Sequence, residues 1–262
     1  ETPKAACTTM KHLVAGLEGI ERDAQARPYH RESRRDMRIH ERKALPMPTV
    51  LDVDEATRAI VIEGDPDWLV FAVTRNPYSR LVSVFESKVR LGEPGYRELE
   101  RRYGDRGAFA TPGAAFTAFV TEIVANAAAR DADAHLRGQV DLLMPEMITY
   151  SKVFKVEKFD EVIDALATHL GQIGRSPPPP PPRFNRSLHA DWRQYYTSET
   201  AAIIGQVYQK DFEAFGYDPA DWQSSSPGGA QNAELDEVRH WRAEVVERNA
   251  MIDELYDFLL ER

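Results

Sequence analysis

The feature that most constrains this chain is Trp68–Thr74 (WLVFAVT), an apolar run that ends on Arg75-Asn76-Pro77 and passes straight into a helical pattern. A short apolar run bounded by a proline turn reads as a buried strand. From Tyr78 to Arg90, Leu81, Val82, Val84, Phe85 and Val89 offer one buried helical face. Pro77 suits the first turn of that helix, where its missing N–H costs nothing. Lys152–Val156 is a second strand, followed by a helix over Asp160–Leu170. Met10–Ile20, Ala114–Ala129 and Ser198–Phe215 are further helical stretches, the last opened by Ser198 and Glu199. Strands that alternate with helices predict an α/β fold, with a central parallel sheet flanked by helices.

Three compositional breaks divide the pattern. Glu21–Lys43 is polar and Arg-rich, Pro177–Pro182 is an unbroken proline run, and Ser224–Ala230 (SSSPGGA) is a flexible connector. The proline run has no backbone donors and reads as a short, stiff spacer. Beyond the connector, Leu235, Val238, Arg242, Val245, Asn249, Ile252, Tyr256 and Leu259 alternate at spacings of 3 and 4. That seam predicts a long C-terminal helix, either a coiled coil that pairs two copies through residues 235–259 or an amphipathic helix packed on its own domain. Trp241 and Val246 fall off the seam and favour the second form. The organisation is therefore a domain over 1–223, a linker over 224–231 and a terminal helix over 232–262.

Charge and cysteine content narrow the function classes. The net charge is −9, so general nucleic-acid binding is not expected and any anion site must be a local basic cluster. The longest unbroken aliphatic and aromatic stretch, Trp68 to Val73, is far short of the roughly 20 residues of a membrane span. Cys7 is the only cysteine, so no intrachain disulfide forms and a cytoplasmic, reducing setting is expected. A membrane anchor ahead of residue 1 is compatible with this sequence.

Two segments carry anion-binding chemistry. In Thr2-Pro3-Lys4-Ala5-Ala6-Cys7-Thr8-Thr9, small residues let backbone amides approach a ligand, and the following helix adds its own amides and dipole. Lys4 supplies a point charge, and Thr8 and Thr9 supply hydroxyls. The segment lacks the G-x-x-x-x-G-K-[ST] pattern, so no bound metal is implied. The plainer alternative is a helix N-cap beside a solvated lysine. The second segment, Arg75-Asn76-Pro77-Tyr78-Ser79-Arg80-Leu81-Val82-Ser83, lies beyond the carboxyl end of the first strand, where open α/β sheets bind ligands. Arg75 and Ser83 would meet one phosphate there, the arginine by a bidentate fork. A capped helix with surface arginines is the alternative.

Together these segments resemble the PAPS-dependent sulfotransferases, within them the carbohydrate branch of the HNK-1, chondroitin and heparan 2-O enzymes. PKAACTTMK resembles that family's loop for the 5′-phosphosulfate of 3′-phosphoadenosine 5′-phosphosulfate (PAPS), and RNPYSRLVSVF its 3′-phosphate motif. His135-Leu136-Arg137-Gly138-Gln139, Lys152–Glu161, Asn185-Arg186-Ser187, Tyr195-Tyr196 and Asp211–Tyr217 extend the resemblance to roughly residues 2–218. Asn76 stands where the family has aspartate, and Leu136 where it has tryptophan. Only Glu1 to Pro3 precede the first loop, where the family has a strand. The cysteines of Golgi members are absent, which points to a cytoplasmic, bacterial relative.

The resemblance implies a P-loop-like sulfotransferase fold and transfer of a sulfonate group from PAPS to an acceptor hydroxyl, without a metal. Lys4, Ala5, Ala6, Cys7, Thr8, Thr9, Arg75, Ser83, Arg186 and Ser187 would bind the donor, and Lys4 would also stabilise the leaving charge. A histidine or carboxylate must take the acceptor's proton. Of the seven histidines, His135 matches the family's histidine segment, with His40, His12 and Glu32 as alternatives. Arg27 to Lys43 carries a local charge of +4. There Arg31, Arg35 and His40 would form a rim for an anionic carbohydrate acceptor, or else a solvated helix laced with ion pairs. Two other functions stay open: a non-catalytic nucleotide-binding protein that dimerises through its last helix, and a phosphoryl transferase.

Overall fold

A computed structural model describes residues 2–20, 48–90, 96–104, 108–177 and 191–224, with Arg97 described by its backbone alone. The Arg-rich segment with Arg31, Glu32, Arg35 and His40 lies outside these residues. So do the proline run past Pro177, Arg186 and Ser187, and the terminal heptads. The chain forms a helix-rich α/β structure with a small parallel sheet, divided into two compact units.

The first unit is built from residues 1–75 and 139–186. Strand β1 (Phe71–Thr74) pairs in parallel with β2 (Lys152–Lys155), Phe71 opposite Lys152 and Thr74 opposite Lys155. Both are rich in β-branched and aromatic residues, which fit a buried pleated surface. β1 is shorter than the apolar run, because the Ser151 hydroxyl takes the Val70 N–H at 3.1 Å and donates to the Trp68 carbonyl at 3.0 Å. Helices α1 (Cys7–Leu17) and α8 (Phe159–Gln172) contribute to a core of Ala5, Leu13, Val73, Phe154, Val162 and Leu166. Phe71 and Phe154 meet edge to face at 5.8 Å. α1 begins three residues earlier and ends three earlier than the apolar pattern predicts. Gly19, at φ 60°, stops it: the Ile20 N–H reaches back to the Ala15 carbonyl and the Gly19 N–H to Gly16. This is the Schellman closure, which needs a left-handed residue just past the helix. The Glu55–Glu63 helix (α2), opened by Asp54, was not expected from periodicity.

The second unit is built from residues 76–138 and 187–262. Its elements are α3 (Pro77–Val84), α4 (Arg97–Tyr103), α5 (Pro112–Phe119), α6 (Ala127–Ala132), α9 (Ser198–Val207) and α10 (Gln209–Phe215). The short helix α7 (Gln139–Leu143) belongs to the first unit. Neither α4 nor α7 was expected from sequence. Three predicted helices are each divided. Tyr78–Arg90 becomes α3 followed by a π-helical turn, Phe85–Arg90. Ala114–Ala129 becomes α5, a π-helical turn at Val120–Val124 and α6, which Asn126 caps by accepting the Ala129 N–H. Ser198–Phe215 breaks at Tyr208, and its cap is Thr197, in reciprocal hydrogen bonds with Thr200, rather than Ser198. The core here is aromatic. Phe85 meets Phe116 at 5.3 Å and Tyr78 meets Tyr196 at 4.9 Å, both near-perpendicular, the arrangement that ring quadrupoles favour. Among the described residues, no helix is long and apolar enough to cross a membrane.

Candidate functional site

The loop before α1 is held in a costly conformation. Lys4 (φ 67°) and Ala6 (φ 59°) both lie in the left-handed region without being glycine, at about 1–2 kcal/mol each. Ala5 between them is buried in the core cluster, and its N–H donates to the Thr2 carbonyl at 3.2 Å. Turns that pass through left-handed residues gather backbone N–H groups into concavities for anions. Ala6 is the N-cap of α1 and has no side-chain oxygen to occupy the first amides. Thr2 is only 3% exposed, and among the described residues its Oγ1 is the one buried side-chain polar atom with no partner. Lys4, Cys7, Thr8 and Thr9 are half-buried around this loop, and His12 follows within α1. An orphaned hydroxyl, uncapped helix amides and a lysine form a donor set that suits an oxyanion such as a phosphosulfate.

Arg75 leaves the carboxyl end of β1, and the buried side chain of Gln139 clamps its backbone on both sides. The Arg75 N–H donates to Gln139 Oε1 at 2.9 Å, and Gln139 Nε2 donates to the Arg75 carbonyl at 2.8 Å. The Arg75 guanidinium donates to the Lys4 carbonyl at 3.2 Å. Lys4 and Arg75 thus meet inside the first unit. A cleft of about 590 Å³ in the same unit, lined by Gly64, Trp68, Thr149 and His169, lies at the amino end of β1. None of the described candidate residues lines it.

Asn76 and Ser83 belong to the second unit. Asn76 opens α3 by accepting the Tyr78 N–H at 3.0 Å, while its Nδ2 donates to Asp221 Oδ2 at 2.8 Å. This explains the departure from aspartate, because a carboxylate at 76 would face the Asp221 carboxylate. Asn76→Asp is expected to lower unfolding free energy by about 1–3 kcal/mol, measured by urea denaturation. Adding Asp221→Asn should return most of that loss, and an unchanged midpoint in the single variant would refute the account. Ser83 is half-buried on α3, with its carbonyl accepting from the Ser87 hydroxyl.

His135 sits in the loop between α6 and α7, also in the second unit. Its Nδ1 lies 3.0 Å from Asp133 Oδ1 and 3.0 Å from the Tyr96 hydroxyl, and that hydroxyl donates to Asp133 Oδ2 at 2.7 Å. Burial alone would raise the Asp133 pKa. Hydrogen bonds from the His135 ring, the His135 amide and the Tyr96 hydroxyl outweigh it and hold the group at about 2. The loop itself hangs on two buried side chains. Arg80, 2% exposed, donates to the carbonyls of Arg137 at 2.9 Å and Ala134 at 3.2 Å. The Tyr208 hydroxyl donates to the Leu136 carbonyl at 2.5 Å. Burial lowers the Arg80 pKa, against the opposing influence of Tyr208, Asp211 and Asp133. Sequence reasoning missed Tyr96, Asp133 and Tyr208 altogether, and it gave Arg80 and Gln139 no role beyond membership of a motif.

A parallel strand, an arginine at its carboxyl end and a strained loop that opens a helix are thus joined within one α/β unit. The sequence model of the Sulfotransferase family matches residues 1–218. The chain belongs to that family, and the activity it supports is transfer of a sulfonate group. Comparison with curated proteins and with solved structures returns no match. Among the described residues, no group of His, Cys, Asp and Glu is arranged to hold a metal ion.

Proposed function

We propose that the protein moves the sulfonate of PAPS to a hydroxyl of a carbohydrate acceptor. The observation that carries this reading is the strained Lys4 loop joined through Arg75 to the end of β1. Lys4, the Ala5 backbone between the two left-handed residues, the amides of Ala6 to Thr9 and the two threonine hydroxyls would hold the 5′-phosphosulfate, with Arg75 and Ser83 on the 3′-phosphate and Arg186 and Ser187 completing that side. The acceptor oxygen bonds to sulfur as the bond from sulfur to the bridging phosphate oxygen breaks. Adenosine 3′,5′-bisphosphate leaves with the electron pair, and the acceptor's proton passes to His135 Nε2. Negative charge grows on the bridging oxygen, where Lys4 and the loop amides oppose it at little reorganisation cost. Arg31, Arg35 and His40 would face an anionic sugar, and residues 235–259 would pair two copies of the chain in the cytoplasm.

Binding of adenosine 3′,5′-bisphosphate, read by thermal shift, tests this directly. At 100 times its dissociation constant the ligand should stabilise the fold by about 2.7 kcal/mol, with or without magnesium. A larger shift with ATP and magnesium would assign phosphoryl transfer instead. A shift with the bisphosphate but no transfer to any sugar would assign a binding protein.

A further inference from the structure

We propose that Asp133 is the positioning residue for the His135 base, with Tyr96 fixing Asp133 in turn. This rests on the reading of His135 as the base. Both Asp133 oxygens are committed. Oδ1 accepts the His135 backbone N–H at 2.8 Å and lies 3.0 Å from Nδ1 of the ring, and Oδ2 accepts the Tyr96 hydroxyl at 2.7 Å. An ionised carboxylate only accepts hydrogen bonds, so the ring nitrogen facing it carries the proton. The lone pair of the neutral ring is then on Nε2, the atom that must receive a proton from an acceptor hydroxyl. The same carboxylate offsets the charge of the imidazolium that forms when the proton arrives.

Three features separate this arrangement from an incidental surface pair. Asp133 is held well below the usual carboxylate range, so it stays charged wherever the ring is neutral. The Tyr96 ring stands edge-on to the imidazole, 87° between planes, and carries the Lys88 ammonium over its face at 5.4 Å. Arg80 holds the carbonyls of Ala134 and Arg137 on either side of the histidine, so the ring's backbone is ordered before any substrate arrives. Preordering of this kind is where positioned groups gain their rate advantage. Tyr96 lies outside the histidine segment, 39 residues before His135.

Asp133→Ala is the test, because it removes the carboxylate that accepts from Nδ1 and leaves the Tyr96 hydroxyl, 3.0 Å away, to donate to that nitrogen instead. Turnover with radiolabelled PAPS and unsulfated chondroitin and heparan chains should fall by about 100-fold or more. Affinity for adenosine 3′,5′-bisphosphate should stay unchanged. Nitrogen chemical shifts of the neutral His135 ring should show the proton on Nδ1 in the wild type and on Nε2 in the variant. Tyr96→Phe should keep the wild-type tautomer and lose about five-fold in turnover. If His135→Ala is inactive while Asp133→Ala keeps both its turnover and the Nδ1–H form, the positioning role falls and His135 stands. If the wild type transfers no sulfonate, the proposed function falls, and the tautomer measurement still decides the role of Asp133. Should Asp133→Ala not fold, an Nε2–H ring in the wild type would by itself overturn the proposal.

Discussion

Turnover of the Lys4→Ala variant is expected to drop by about 100- to 1000-fold, with a melting temperature close to that of the wild type. The two halves of this expectation come from different atoms. In the proposed reaction the ammonium would oppose the charge that builds on the leaving oxygen, and alanine removes it. The Lys4 carbonyl, which accepts from the Arg75 guanidinium, belongs to the backbone and survives. The left-handed backbone at φ 67° is as costly for alanine as for lysine, so the strain in the loop does not change either. Lys4→Gly separates the terms further: it should raise stability by relieving that strain and be as inactive as alanine. Single-turnover rates at saturating PAPS, set beside melting curves, check all of this. Near-wild-type rates for Lys4→Ala would mean that the leaving oxygen is stabilised without Lys4.

The second large effect is on stability. Arg80→Met should lower the unfolding free energy by about 3–5 kcal/mol, a major part of the roughly 5–15 kcal/mol typical of a folded protein. Methionine fills a similar volume but donates nothing. Two carbonyls of the histidine loop lose their donor, and Asp211, 1% exposed, loses a favourable charge. Arg80→Lys should recover only part of the loss, since one ammonium does not reproduce a planar fork that spans two acceptors. Urea denaturation of the three proteins gives the comparison. A loss under about 1 kcal/mol in Arg80→Met would show that water replaces the guanidinium, an outcome at odds with so buried a site.

What was legible in the sequence follows from how local each signal is. β1 and the start of α3 could be read because a continuous apolar run and an Asn-Pro turn lie next to each other in the chain. The paired strand β2 was found at Lys152–Val156, just ahead of a helical stretch. Helix ends were read less well. The hydrophobic pattern continues through Phe85–Arg90 and Val120–Val124 even though the backbone widens to π-helical spacing there. Nothing in the residue types announces that change. The loop ahead of α1 stood out by its residue types, but its left-handed residues did not, since lysine and alanine do not advertise positive φ as glycine does. The supports of the site were the least legible. Gln139 reaches Arg75 across 64 positions, and Tyr208 reaches Leu136 across 72. Such pairs exist only once the chain has folded.

The interleaving of the two units also bears on how the chain is made. β1 and β2 are 81 residues apart in register, and the second unit's residues 76–138 are synthesised between them. At about 5–20 residues per second, the ribosome delivers β2 roughly 4 to 16 seconds after β1. Through that interval Phe71–Val73 lacks β2, its partner among the described residues, while α3 and the π-helical turn behind it already have local structure to form. A nascent apolar strand left exposed this long is open to association with other chains. Synonymous codons that slow translation between Asn76 and Gly138 should therefore lower the soluble yield of the protein without changing one residue of it.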